Sequence, residues 1–203
     1  MYSIRPSILS KLSILWSSSA IAGSGLGMFW TRSSCGRGTW WPISVAAAGY
    51  FTLKISPMIG ATGQILAVDI RRLSLSFLWM RAILRKPHTV HLTVGEPDDP
   101  HLPSGTVDAV LIANTYHEFH DPNVMIEHTF RSLRSGGRLV IVDRGPRSDE
   151  SEQLRDFPHG HDVSVNAVEE RLRQNGFEII RRVDPFIDRP GDDPWWLLAA
   201  RRP

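Results

Sequence analysis

The stretch YFTLKISPMIGATGQILAVDI, residues 50–70, decides the fold. Phe51, Ile55 and the pair Met58-Ile59 recur at helical spacing, Gly60 supplies a C-terminal stop, and Pro57 disturbs the last turn. Residues 64–70 then form an apolar run ending in an acid, the pattern of a parallel strand buried on both faces. A helix followed at once by such a strand is the middle of an α/β repeat, so another strand must lie just upstream. What stands there is WWPISVAAAG, residues 40–49. Nucleotide-binding α/β domains carry a glycine-rich loop at this point, and this chain keeps only Gly49.

Downstream the alternation continues. Residues 71–85 predict a helix with Leu75, Leu78, Trp79 and Ile83 as its core side, and residues 88–94 a third strand. GEPDDPHLPS, residues 95–104, is a loop of turn formers, and residues 107–113 are a fourth strand. Residues 121–133 predict an amphipathic helix burying Val124, Ile126, Phe130 and Leu133, ended by Gly136-Gly137 before a fifth strand over 138–143. Residues 145–163 are a polar surface excursion. Ser164 predicts an N-cap for a helix through Asn175, with Gly176 as its stop. Residues 177–183 and 195–200 read as two closing strands. The expected fold class is α/β, a doubly wound, mostly parallel sheet of Rossmann-like form with a C-terminal antiparallel hairpin.

Upstream the chain changes character. Residues 1–68 contain no Asp or Glu, so all 21 acids lie from Asp69 onward, and residues 1–49 hold 11 serines and four of the seven Trp. A folded surface normally mixes both charge signs. The expected division is therefore an atypical leader, 1–49, and a domain, 50–203. Arg5, Lys11, the short apolar run 12–16 and Ala20-Ile21-Ala22 have the parts of an export signal, but Ser17-Ser18-Ser19 interrupts them. The cytoplasm is the expected compartment, with export the alternative if residues 1–22 are a signal. No stretch approaches the roughly 18 apolar residues of a membrane helix.

The bulk numbers bound the rest. A chain of 203 residues, 42% hydrophobic and 22% charged, makes one globular domain. A net charge of +2 argues neither for nor against nucleic acid, no dense basic run marks such a partner, and Cys35 alone makes neither an intrachain disulfide nor a zinc site. His117, His120 and His128, and the run His159 to Asp162, lack metal-ligand spacing, so they read as surface histidines and no metal is expected. There is no GxSxG elbow and no P-loop.

Three places carry chemistry. Asp69 stands at the carboxyl end of the second strand, where a carboxylate accepts both hydroxyls of a ribose. Glu96 and Asp98, in the loop after strand three, are acids placed to accept from the exocyclic amine of an adenine. Asn114-Thr115-Tyr116-His117-Glu118-Phe119 follows strand four, at the edge where such sheets hold their sites; His117 is a candidate general base and Tyr116 a candidate pocket wall.

Together these motifs resemble the class I S-adenosylmethionine-dependent methyltransferases. VDAVLIANTYHEFHDPNVMIEHTFRSLRSGGRLVIVD, residues 107–143, is similar to the family's fourth strand, helix, glycine turn and fifth strand, in order and spacing. GFEIIRRVDPF and PWWLLAARRP are similar to its closing strands. The resemblance covers residues 50–203. It implies S-adenosylmethionine as cofactor, Asp69 as the ribose acid, Glu96 or Asp98 as the adenine-side acid, Asn114 at the substrate-facing strand end and Gly49 as the remnant of the glycine turn. It implies methyl transfer to a small-molecule acceptor. Direct displacement at a sulfonium needs positioning more than covalent catalysis, so the lack of a catalytic triad is no objection.

The departure is the family's first motif, an acid followed by GxGxG. Ala47 and Ala48 place Cβ atoms where that loop needs bare backbone. Back-translation of residues 40–49 from the third base of the Trp40 codon forces Val-Ala and permits Asp-Ile-Gly-Gly-Gly-Ser-Gly, and one surplus base in the Gly49 codon restores the frame at Tyr50. The same hidden frame through residues 28–31 forces Val-Leu-Asp. The leader's composition, and the codons its residues permit, match what an out-of-frame translation would give, so an out-of-frame leader is the expectation. Two other readings stand beside the enzyme: a catalytically inactive, methyltransferase-like remnant or interaction module, and a nicotinamide dinucleotide-binding dehydrogenase.

Overall fold

A computed structural model describes residues 40–45, 50–56, 59, 62–85, 90–145, 163–188, 190 and 193–203. Seven strands form one sheet in the order β3-β2-β1-β4-β5-β7-β6. In chain order the elements are β1 (Trp40–Val45), α1 (Tyr50–Ile55), β2 (Gln64–Asp69), α2 (Arg72–Arg85), β3 (Val90–Val94), β4 (Val107–Ala113), a 3₁₀ turn (Tyr116–Glu118), α3 (Pro122–Ser132), β5 (Leu133–Arg144), α4 (Val165–Gln174), β6 (Glu178–Ile187) and β7 (Trp195–Arg201). The first five strands are parallel, while β7 runs antiparallel to both β5 and β6. The mostly parallel sheet with an antiparallel C-terminal pair is thus as expected. A dinucleotide-binding sheet runs 3-2-1-4-5-6; the interposed antiparallel β7 sets this chain apart from that plan and from the dehydrogenase reading.

Burial on both faces explains the strand composition. Along β5, Leu139 and Ile141 pack with α3 and α4, while Val140 and Val142 pack on the α1 and α2 side. β7 alternates likewise, with Trp196, Leu198 and Ala200 on one face and Trp195, Leu197 and Ala199 on the other. A strand covered on both sides must be apolar throughout. The first strand of the sheet, WWPISV, comes from residues that the sequence division placed in the leader.

Local differences have local causes. α1 ends at Ile55, two residues before Pro57, whose ring and missing N–H oppose another turn. In α2, Leu75 and Leu78 are buried, but Trp79 and Ile83 are exposed, against expectation. Apolar residues stand on most sides of this helix: Leu73, Phe77, Met80 and Leu84 share the side opposite Leu75 and Leu78 and face outward. Asp121 caps α3 by accepting from the N–H groups of Asn123 and Val124 at 2.9 and 3.2 Å. α3 stops at Ser132, so Leu133 and the two glycines belong to β5, where Gly136 and Gly137 bond the backbone of Arg202. Ser164 occupies the N-cap position of α4, but its side chain makes no capping bond. Residues 146–162, including the His159 to Asp162 run, lie outside the described residues, as do 1–39.

Candidate active site

Register brings the chemistry-bearing residues to one edge. Ser44 pairs with Val68, which sets Val45 level with Asp69. Val45 pairs with Ala113, so Asn114 stands one residue beyond the level of Val45, the last residue of β1. Ala113 pairs with Val142, so Asn114 is level with Asp143. Asp69, the exit of β1, Asn114 and Asp143 therefore follow one another across the carboxyl ends of β2, β1, β4 and β5. The strand order reverses between β1 and β4, and crevices at such reversals hold ligands in open α/β sheets.

Asp69 accepts from the Arg71 N–H at 2.8 Å. Burial pushes its carboxyl above the ordinary range; the Arg71 N–H, the Ser74 hydroxyl and the Arg71 charge pull it back, and the Glu118 charge pushes it up again. Arg71 also reaches Glu118 at 3.7 Å, an exposed ion pair linking the turns after β2 and β4.

Asn114 adopts φ +53°, a left-handed conformation that Asn tolerates better than other side chains. Its N–H donates to the Val142 carbonyl at 2.8 Å, extending the β4–β5 ladder by one residue. Its buried Oδ1 has no hydrogen-bond partner, and neither has the buried Oγ1 of Thr52 in the first turn of α1. A buried polar atom without a partner costs stability, and ligand contact is one reason for such an atom to persist.

The turn after β4 is tied to β5. Asp143 is wholly buried. Its Oδ1 lies 2.9 Å from His117 Nδ1 and accepts from the Arg144 N–H at 2.8 Å, and its Oδ2 accepts from the His117 N–H at 3.2 Å. His117 is therefore no surface histidine: its side chain is 4% exposed. Sequence reading missed Asp143, although the signal was present, an acid closing a buried strand as Asp69 closes β2.

Tyr116 departs from its expected place in a pocket wall. Its ring is 2% exposed in the core on the α3 and α4 side, and its hydroxyl accepts from Arg171 Nη1 at 2.7 Å. Burial pushes its phenol up, against the pull of Arg171. Tyr116→Phe is expected to lower stability by about 1 kcal/mol with ligand binding unchanged, as measured by urea unfolding beside a binding titration.

The loop after β3 is folded on itself. The Glu96 N–H donates to the Asp99 carbonyl at 2.7 Å, and Asp99 Oδ1 accepts from the His101 N–H at 2.7 Å. Glu96 carries an exposed side chain 3.8 Å from His101 Nε2, and Asp98 is exposed. Beneath lies a small apolar recess, lined by Val68, Leu102, Ile112, Phe119 and Met125 among others. Among the described residues no group of three metal-ligating side chains stands together, and no helix is long and apolar enough to cross a membrane. Gly49 lies outside the described residues.

The family described as "Methyltransferase domain" matches residues 45–141. This match and the fold support a class I S-adenosylmethionine-dependent methyltransferase family. The match begins at the last residue of β1, so it takes in only the end of the strand that should lead into the glycine motif. A ubiquinone/menaquinone biosynthesis C-methyltransferase, UbiE of Haemophilus ducreyi, is 30% identical over 113 residues, 54% of this chain and 43% of that protein. The chain thus matches less than half the length of that curated relative. A SAM-dependent methyltransferase from Aquifex aeolicus has the same fold, with TM-score 0.72 at 20% identity over 99% of this chain and 100% of that one. So does the [4+2]-cyclase SpnF, with TM-score 0.73 at 17% identity over 93% of this chain and 82% of that one. A cyclase among these neighbours is a reminder that this fold does not by itself specify a reaction.

Proposed function

We propose that the chain's site serves methyl transfer from S-adenosylmethionine to a small-molecule acceptor. The supporting observation is the pair formed by Asp69 and the unpartnered Asn114 Oδ1, on the two sides of the β1 exit at the sheet's reversal point. On this reading Asp69 accepts from ribose hydroxyls, Asn114 Oδ1 accepts from an ammonium or hydroxyl, and Glu96 or Asp98 meets an adenine amine. When bound, the cofactor supplies an electrophilic methyl group; the residues of this chain bind, orient and exclude water. A small molecule is the acceptor class favoured by a near-neutral chain without a basic track.

Calorimetric titration with S-adenosylmethionine tests this reading, with Asp69→Asn as control. The expected result is saturable heat that weakens in the variant; equal heat in both chains removes Asp69 from the site. The same variant tests the electrostatics. A carboxyl held above its ordinary value contributes stability below the unfolded value of about 3.9 and loses it as pH rises through the folded value. Asp69→Asn is therefore expected to raise the thermal midpoint of the ligand-free chain at neutral pH, an advantage that disappears as pH falls below about 4.

A second reading, a methyltransferase-like remnant, is favoured by one observation: residues 46–49 are Ala-Ala-Ala-Gly where close approach of a cofactor needs bare backbone. A titration without heat supports the remnant.

A further inference from the structure

We propose that the outer face of α2 docks on an anionic lipid surface, with the helix in the plane of the headgroups and its apolar stripe turned to the acyl chains. This goes beyond the methyl-transfer reading and does not rest on it.

α2 is apolar where a helix on a sheet is normally polar. It packs on β2 and β3, and Leu75 and Leu78 are its buried side. Opposite them Leu73, Phe77, Met80 and Leu84 follow at steps of four, three and four, which lines them up along the helix. Leu73 and Leu84 are 75% and 78% exposed, and Phe77 and Met80 at least half. Trp79 and Ile83, also more than half exposed, widen the stripe on one flank. An exposed apolar patch beyond roughly a few hundred Å² marks a contact with a protein or a membrane, and six such side chains on one helix reach that size.

Charge selects the occupant. Asp69 is the only acid in residues 1–95, and residues 70–95 hold four Arg, one Lys and no acid. By the helical repeat, Arg72 borders the stripe on the Trp79 side and Arg81 borders it on the other. Arg71 reaches Glu118 at 3.7 Å and so has its own counter-charge. An apolar stripe holding Trp, Phe and Leu and bordered by arginines is the pattern of a helix that lies in a bilayer interface. There the guanidinium groups meet phosphates while their stems stay against apolar surface. α2 has 14 residues, too few for the roughly 20 that cross a bilayer, so it lies along the surface. A second copy of the chain is the less favourable occupant. A two-fold contact lays this face on itself and brings Arg72 and Arg81 toward the same residues of the other copy, with no acid in the stretch to answer them. Anionic headgroups supply that missing sign.

The test is flotation of the full chain with lipid vesicles, without cofactor. The chain is expected to float with vesicles of equal parts phosphatidylcholine and phosphatidylglycerol, and to bind phosphatidylcholine alone at least about tenfold more weakly. Leu73→Ser combined with Leu84→Ser is expected to lose about a hundredfold in binding, and Arg72→Glu at least about fivefold. All three positions are exposed, so the circular dichroism of the variants is expected to match the parent. If the double variant does not fold, Arg72→Glu and the lipid comparison carry the measurement. Sedimentation velocity without lipid examines the other occupant. A parent chain that stays in solution beside the anionic vesicles overturns the proposal. So does binding that ignores headgroup charge, or a dimer that Leu73→Ser with Leu84→Ser disperses. Absence of heat with S-adenosylmethionine sinks the methyl-transfer reading instead and leaves the vesicle result standing.

Discussion

A chain in which residues 40–49 are replaced by Val-Ala-Asp-Ile-Gly-Gly-Gly-Ser-Gly is expected to bind S-adenosylmethionine at least about a hundredfold more tightly than the chain as written. The estimate follows from the contacts a glycine loop allows: hydrogen bonds to a charged ligand are worth about 1.5–3 kcal/mol each, every 1.4 kcal/mol is about tenfold, and two such bonds suffice. The structure says where the gain would act. β1 already sits between β2 and β4 in parallel register, with Val45 opposite Ala113. β1 thus ends one residue short of the level of Asn114, whose Oδ1 is buried and unpartnered among the described residues, and α1 carries Thr52, whose Oγ1 is in the same state. An alanine Cβ keeps a ligand off the backbone where a glycine does not. Calorimetry on the two chains decides it: equal affinity sinks the claim that the loop is the missing part. Sequencing across codons 25–55 tests its origin separately, because an uninterrupted frame in independent reads rejects the frame-slip account.

The second large effect is on stability. Trp196→Ala is expected to cost about 3–5 kcal/mol, seen in urea unfolding and as a fall of roughly 10 °C in the thermal midpoint. Trp196 is 1% exposed, lies at the centre of the α3 and α4 face, and donates from Nε1 to the Val163 carbonyl at 2.8 Å. Gly145 follows from it, because a Cβ there would stand 2.8 Å from the indole Cδ1. Trp196→Phe keeps most of the packing and loses the hydrogen bond, so its expected cost beyond the packing change is about 1 kcal/mol. Trp196 pairs with Asp143 across β5 and β7. Loss of the indole is therefore expected to loosen the His117–Asp143 contact as well, visible as exchange broadening of the His117 ring signals. A variant as stable as the parent would show that the closing strand is not anchored by this side chain.

Much of the fold was legible because burial on both faces leaves a strong local trace. The apolar runs of β2 and β4 marked their strands closely, since a doubly covered strand has no polar face to obscure the pattern. Gly176 marked a helix end because capping is local chemistry. α2 defeated the same method: with apolar side chains on most of its sides, its periodicity names no single inner face, and only packing against the sheet selected Leu75 and Leu78 over Trp79 and Ile83.

The candidate site divides in the same way. Asp69 was readable because it ends a strand that follows a helix of the right length, and His117 because it lies in a turn after a parallel strand. Nothing in the sequence joined His117 to Asp143, 26 residues away. Tyr116 and His117 are neighbours in the chain, yet one enters the core to meet Arg171 and the other meets Asp143. The direction each takes is set by the left-handed Asn114 and the 3₁₀ turn after it.

By itself, then, the sequence determined the alternation of strands and helices, the family resemblance and the acid at the end of β2, because those depend on residues near one another in the chain. It also determined the absence of the glycine loop. Tertiary structure alone decided the strand order that puts β1 between β2 and β4, the insertion of β7, and the partner of His117. Those depend on contacts between distant segments, whose register is set by side chains from both strands at once, and no single stretch of sequence contains both halves of such a contact.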